Sequence, residues 1–149
     1  MSSSPNDDVF ELRAGETRAG GCLCGNVRYV VPATPLATVV CHCKNCQKQA
    51  GSALSVIVVF RRSALRLEGE LTIYEDRGTS GQKVFRQFCG RCGSPVLTDT
   101  ERARETGIIF VKAGTLDDVS DLKPTVHYWV RSAQAWIPLP DDAQLLQQE

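Results

Sequence analysis

Residues 41–60 read CHCKNCQKQAGSALSVIVVF. Three cysteines open the stretch, Gly51 divides it, and an apolar, β-branched run closes it. Lys44 to Ala50 is long enough for about two helical turns, and Gly51 suits their end because a glycine adopts left-handed backbone without a Cβ penalty. Leu54 to Phe60 shows no polar alternation, which predicts a well-buried strand. A cysteine turn, a short helix and a core strand thus follow one another directly.

Working outward, Asn26 to Val31 (NVRYVV) is a second β-rich run, closed by Pro32 and Pro35, which cannot extend a hydrogen-bonded ladder. Leu65/Leu67 and Leu71/Ile73 alternate on either side of Glu68-Gly69-Glu70, a pattern that predicts a hairpin. Val84–Phe88, Ile108–Val111 and Val126–Val130 supply further strands. Gly78 to Lys83 lacks the spacing and the following helix of a phosphate loop and is expected to be a surface turn. No internal repeat, low-complexity block or linker interrupts the chain. The expectation is one mainly β domain with short helical turns. Its limits are placed at residues 20–142, after a flexible polar N-terminal segment (1–19) and before a C-terminal tail (143–149).

The chain of 149 residues is long enough to bury a core without disulfide staples. Lys plus Arg and Asp plus Glu number 17 each, so no overall basic field recruits nucleic acid or an anionic membrane. Val56–Phe60, the longest apolar run, falls far short of the roughly 20 residues that span a bilayer. The start, MSSSPNDDVF, has no basic region leading into an apolar one and so does not resemble an export signal. A cytoplasmic, reducing location is therefore expected, and there clustered cysteines hold metal more often than disulfides.

Seven cysteines fall into clusters of two, three and two: Cys22/Cys24, Cys41/Cys43/Cys46 and Cys89/Cys92. A structural zinc site closes four positions with protein ligands, whereas a catalytic one leaves a position open. The two pairs add up to one closed site, with the triplet left to hold a second ion. Spacing alone also permits Cys43/Cys46 to join Cys89/Cys92, or His42 or His127 to complete the triplet.

With GGCLCGNVRYVV, CHCKNCQKQAGSALSVIVVF, GELTIYEDRGTSGQKVFRQFCGRCGSPV and the WIPLP tail in hand, the chain resembles the glutathione-dependent formaldehyde-activating enzyme family, which includes the centromere protein V type of domain. The resemblance runs over about residues 20 to 140. It implies a zinc-bearing beta-tent fold of stacked antiparallel sheets with two zinc ions per chain. Cys22, Cys24, Cys89 and Cys92 would hold the structural zinc, and Cys41, Cys43 and Cys46 the catalytic one. The implied activity is that of a carbon-sulfur lyase joining glutathione, or another small thiol, to formaldehyde or a related aldehyde. The alternative is a non-catalytic zinc module for protein partners; no nucleic-acid or membrane partner is expected.

Such a site favours C–S chemistry because a metal stabilises sulfur as thiolate and holding two reactants together removes the entropy cost of their encounter. Lys44, Lys48, Arg61 and Arg62 are the cations nearest in sequence to meet a carboxylate-bearing thiol. Trp129 and Trp136 are expected to pack near the β core or to roof a pocket.

Overall fold

The computed structural model describes residues 16–148. In chain order the strands are β1 (Thr17–Gly21), β2 (Arg28–Pro32), β3 (Ala37–Cys41), β4 (Ser55–Arg61), β5 (Arg66–Glu68), β6 (Thr72–Arg77), β7 (Lys83–Phe88), β8 (Pro95–Thr100), β9 (Ile108–Lys112), β10 (Val126–Tyr128) and β11 (Gln144–Leu145). Two short helices, α1 (Lys44–Ala50) and α2 (Glu101–Thr106), interrupt them. The expected N-terminal segment lies for most of its length outside the described residues. Strands β1 and β11 carry regular structure beyond the 20–142 span at both ends.

Two sheets form. The smaller has the order β1-β2-β5, and the larger runs β11-β10-β3-β4-β9-β8-β7-β6. Their pairings are antiparallel except at β10, which runs parallel to both β3 and β11. The mainly β architecture of stacked antiparallel sheets therefore stands. The core lies between the sheets: Tyr29 and Val31 from the smaller, with Val27 just before β2, meet Val58, Phe60, Leu97, Ile109 and Val111 from the larger. Burying each such side chain contributes about 1.5–3 kcal/mol, which accounts for the unbroken apolar run in β4.

The sequence pattern and the fold part company at residues 65–73. The expected hairpin does not form, because β5 pairs with β2 in the smaller sheet and β6 pairs with β7 in the larger. Gly69 makes the transfer at φ 95°, and a Cβ there would run into the Asn26 carbonyl. Only glycine combines that backbone with that approach, so the chain leaves one sheet for the other instead of folding back. The last strand is also shorter than Val126–Val130, since Trp129 takes up left-handed backbone at φ 58° and ends β10 at Tyr128. Gly78 to Lys83 is a surface turn between β6 and β7, closed by a Gly78 N–H to Gln82 carbonyl bond of 2.9 Å.

Candidate metal and active centre

Helix α1 forms because its two ends are closed. Cys43 stands at the N-cap in extended backbone, its Sγ accepting from the Cys46 N–H at 3.3 Å. At the other end Gly51, at φ 65°, returns its N–H to the Gln47 and Lys48 carbonyls. One turn of helix therefore carries two of the three thiols on the same side, and the end of β3 brings Cys41 to them. The three Sγ atoms lie within 4.8 Å of one another. A second set, Cys22, Cys24, Cys89 and Cys92, meets the same limit. There Cys22 Sγ and Cys24 Sγ are 3.6 Å apart and Cys24 Sγ and Cys89 Sγ 3.8 Å.

These separations exclude disulfides, and all seven cysteines are free thiols. Zn–S bonds of about 2.3 Å in a tetrahedron space their sulfurs about 3.8 Å apart, close to the distances seen. Backbone N–H groups also point at sulfur: Val27 to Cys22 at 3.2 Å and Arg91 to Cys89 at 3.4 Å. Both clusters could hold metal ions, and soft thiolate donors at this spacing are consistent with zinc. The four-sulfur set joins the β1–β2 turn of the smaller sheet to the β7–β8 turn of the larger, and Cys22 and Cys89 belong to the core itself.

Charge around the triplet is uneven. Hydrogen bonds from Cys41 and Cys43 push the Cys46 thiol down to about 2 against its burial, with help from the positive charges of Arg86 and Lys112. Cys41 is pushed up by its hydrogen bonds to Cys43 and Cys46 and by burial. Arg86 sits 4.0 Å from Cys46 Sγ through one guanidinium nitrogen and is anchored by Nε to Asp76 at 2.9 Å. Lys112 Nζ donates to Ser55 Oγ at 2.7 Å, and burial lowers its pKa although the thiolates oppose this.

The cations that sequence proximity pointed to divide into two groups. Lys44 and Lys48 are exposed on α1. Arg61 and Arg62 lie at the opposite end of β4 from Ser55, about 20 Å away at 3.3 Å per residue, and Arg62 pairs with buried Asp99. Two further cations, Arg86 and Lys112, are brought beside Cys46 from β7 and β9 by sheet register. Strand alternation in KVFRQF and IIFVK is the sequence signal that marks them as face-directed cations.

Neither histidine joins either sulfur set. His42 Nε2 and His127 Nδ1 bond each other at 2.9 Å, with the rings stacked. Burial lowers both pKa values, His127 adding to the effect on His42. The pair ties the cysteine turn to β10. Gln47 strengthens the link, donating from Nε2 to the carbonyls of His42 at 2.7 Å and Ser132 at 2.9 Å. Trp129 is half-buried, whereas Trp136 is 72% exposed and so packs in no core. Two surface cavities, of about 320 and 600 Å³, are lined by residues around Asp117 and around Arg61, away from the triplet.

Fold and site together define a mainly β protein built around two cysteine clusters able to take metal. Residues 17–132 match the family model described as "Glutathione-dependent formaldehyde-activating enzyme", and the chain belongs to that family. No curated protein matches it. Among solved structures it is similar to a Rhodobacter sphaeroides protein, with a TM-score of 0.53 and 25% identity over 69% of this chain and 91% of the other.

Proposed function

We propose that the protein is a zinc-dependent carbon-sulfur lyase that joins a small thiol such as glutathione to formaldehyde or a related small aldehyde, or cleaves the resulting adduct. One observation carries this reading. The two sulfur sets are unequal, four in one and three in the other, and among the described residues no histidine, cysteine or carboxylate ligand atom joins the three. Four protein ligands suit a structural ion, whereas three with a position to spare suit a catalytic one. Cys22, Cys24, Cys89 and Cys92 would then hold a structural zinc, and Cys41, Cys43 and Cys46 a catalytic zinc. A zinc ion held by the triplet would supply the positive charge that keeps sulfur anionic near neutral pH.

The chain's own residues do the rest. Cys43 and Cys46 are fixed by the closed ends of α1, and Cys41 is fixed by its pairing with Ser55 across β3 and β4. Arg86 brings a permanent charge next to Cys46 and is itself held by Asp76. Burial of these groups strengthens every charge interaction among them. The family description supports the glutathione and formaldehyde chemistry at the level of class.

Thiol titration into the cobalt-substituted protein tests the proposal. A thiol-dependent change in the visible spectrum at one of two bound metals is expected, and the Cys43→Ser variant should weaken it. Two metals equally inert to thiols and to chelators would refute the enzyme reading and favour a zinc module for protein partners.

A further inference from the structure

Four buried side chains, Ser55, Lys112, Thr98 and Arg86, share with Cys41 one face of the larger sheet. Cys41 stands opposite Ser55, Ile57 opposite Lys112, Phe110 opposite Thr98, and Thr98 opposite Arg86. Side chains alternate along each strand, so Cys41, Ser55, Lys112, Thr98 and Arg86 all lie on one side of the larger sheet. Ser55 is 3% exposed, Arg86 5%, Lys112 6% and Thr98 7%. A buried cation is costly unless its donors are occupied. The Lys112 ammonium has three N–H bonds, of which the Ser55 contact takes one. Thr98 Oγ1 is buried and has no hydrogen-bond partner among the described residues.

Charge balance explains only part of this. Three thiolates around a divalent ion carry one net negative charge and Asp76 a second, which Arg86 and Lys112 together offset. That arithmetic leaves the spare donors of Lys112 and the Thr98 hydroxyl unexplained. They call for a small oxygen acceptor beside the sulfurs.

We propose that Lys112 and Arg86, with Ser55 and Thr98, form an oxygen subsite that receives the carbonyl oxygen of the aldehyde and stabilises the negative charge that develops on it. This inference rests on the thiol–aldehyde reading above and names the part of the site that reading left empty. In the step concerned the thiolate sulfur gives its electron pair to the carbonyl carbon, forming the S–C bond. The C=O π pair moves to oxygen, whose charge falls among the Lys112 and Arg86 donors. Water then protonates the alkoxide, replacing the proton the thiol released, and nothing is oxidised or reduced. Donors already in place for charge that appears only in the transition state lower the barrier without tightening ground-state binding.

Formate, a small planar anion with the same oxygen chemistry, is the probe. Calorimetric titration of formate into the metal-loaded protein should show binding that Lys112→Met weakens at least tenfold and Thr98→Val several-fold. In the same variants the thiol affinity read from the cobalt spectrum should stay within about twofold of the wild type. Turnover with formaldehyde should fall about 100-fold in Lys112→Met at unchanged KM for the thiol, the scale of losing one preorganised donor. Failure of the wild type to bind formate would overturn the subsite, as would variants that bind it normally. Loss of metal and thiol together in both variants would show that the cations only balance charge. Thr98→Val is nearly isosteric, so it keeps the test decisive if Lys112→Met does not fold. If the wild type binds no thiol, the thiol–aldehyde reading fails, and the formate titration still judges the subsite independently.

Discussion

Replacing Cys89 by serine should cost far more stability than the same change at Cys43, because only the first breaks a link between sheets. Cys89 is fully buried, belongs to the core and joins the β7–β8 turn to the β1–β2 turn. Structural zinc binds small protein sites with roughly 10–16 kcal/mol at the 1 M standard state. At micromolar free zinc about 8 kcal/mol of that is dilution, leaving about 2–8 kcal/mol of folding stabilisation. For a chain of this length each kcal/mol moves Tm by about 2–4 °C, so Cys89→Ser should lower Tm by at least ~4 °C. Cys43→Ser removes a half-exposed thiol, and serine is itself a preferred N-cap, so the loss should stay near or below ~1 kcal/mol. Thermal unfolding followed by circular dichroism at buffered zinc, with and without a chelator, reads both. The chelator should lower Tm in the wild type and in Cys43→Ser but hardly move Cys89→Ser. Equal losses in the two variants, or a wild-type Tm indifferent to chelation, would refute the assignment of the four-sulfur set as the structural one.

Other outcomes follow from single contacts. Gly69→Ala should destabilise by about 1–3 kcal/mol in urea unfolding, since its φ of 95° and the Asn26 carbonyl oppose any Cβ. Asp99→Ala should cost about 2–3 kcal/mol in the same assay. Its buried carboxylate pairs with Arg62 and with Arg104 at 2.8 Å and also accepts from the Thr100 N–H at 3.0 Å. The Asp117 carboxyl is held below its ordinary pKa by its bond to Arg28, so whatever stability the pair adds is present above the unfolded value near 3.8 and is lost as pH falls through the folded one. Both partners are about half exposed, so Asp117→Asn should change stability by less than ~1 kcal/mol at neutral pH and by less still near pH 3 in parallel unfolding curves.

The stretch 41–60 was legible because each of its signals is local: a cysteine turn, a glycine suited to a helix end, and a run of β-branched residues that a core accepts. The cysteine clusters were legible because ligand spacing is local too. Arg86 and Lys112 were not, since both are far in the chain from Cys41, Cys43 and Cys46 and only the register of four successive strands brings them to the triplet. The hairpin at 65–73 failed for a related reason. Alternation predicts that β5 and β6 are strands but is silent about which sheet takes each, and Gly69 decides that through a contact with Asn26, more than forty positions earlier in the chain.

Strand β10 reaches its place beside β3 only by parallel pairing across more than eighty residues, and the imidazole pair then ties it down. During synthesis, every sulfur will therefore have left the ribosome before β10 does. For that interval the edge of β3 that ends at Cys41 has no strand beside it on that side. Completion of that edge of the sheet therefore comes after the rest, as β10 docks along β3 and β11 along β10.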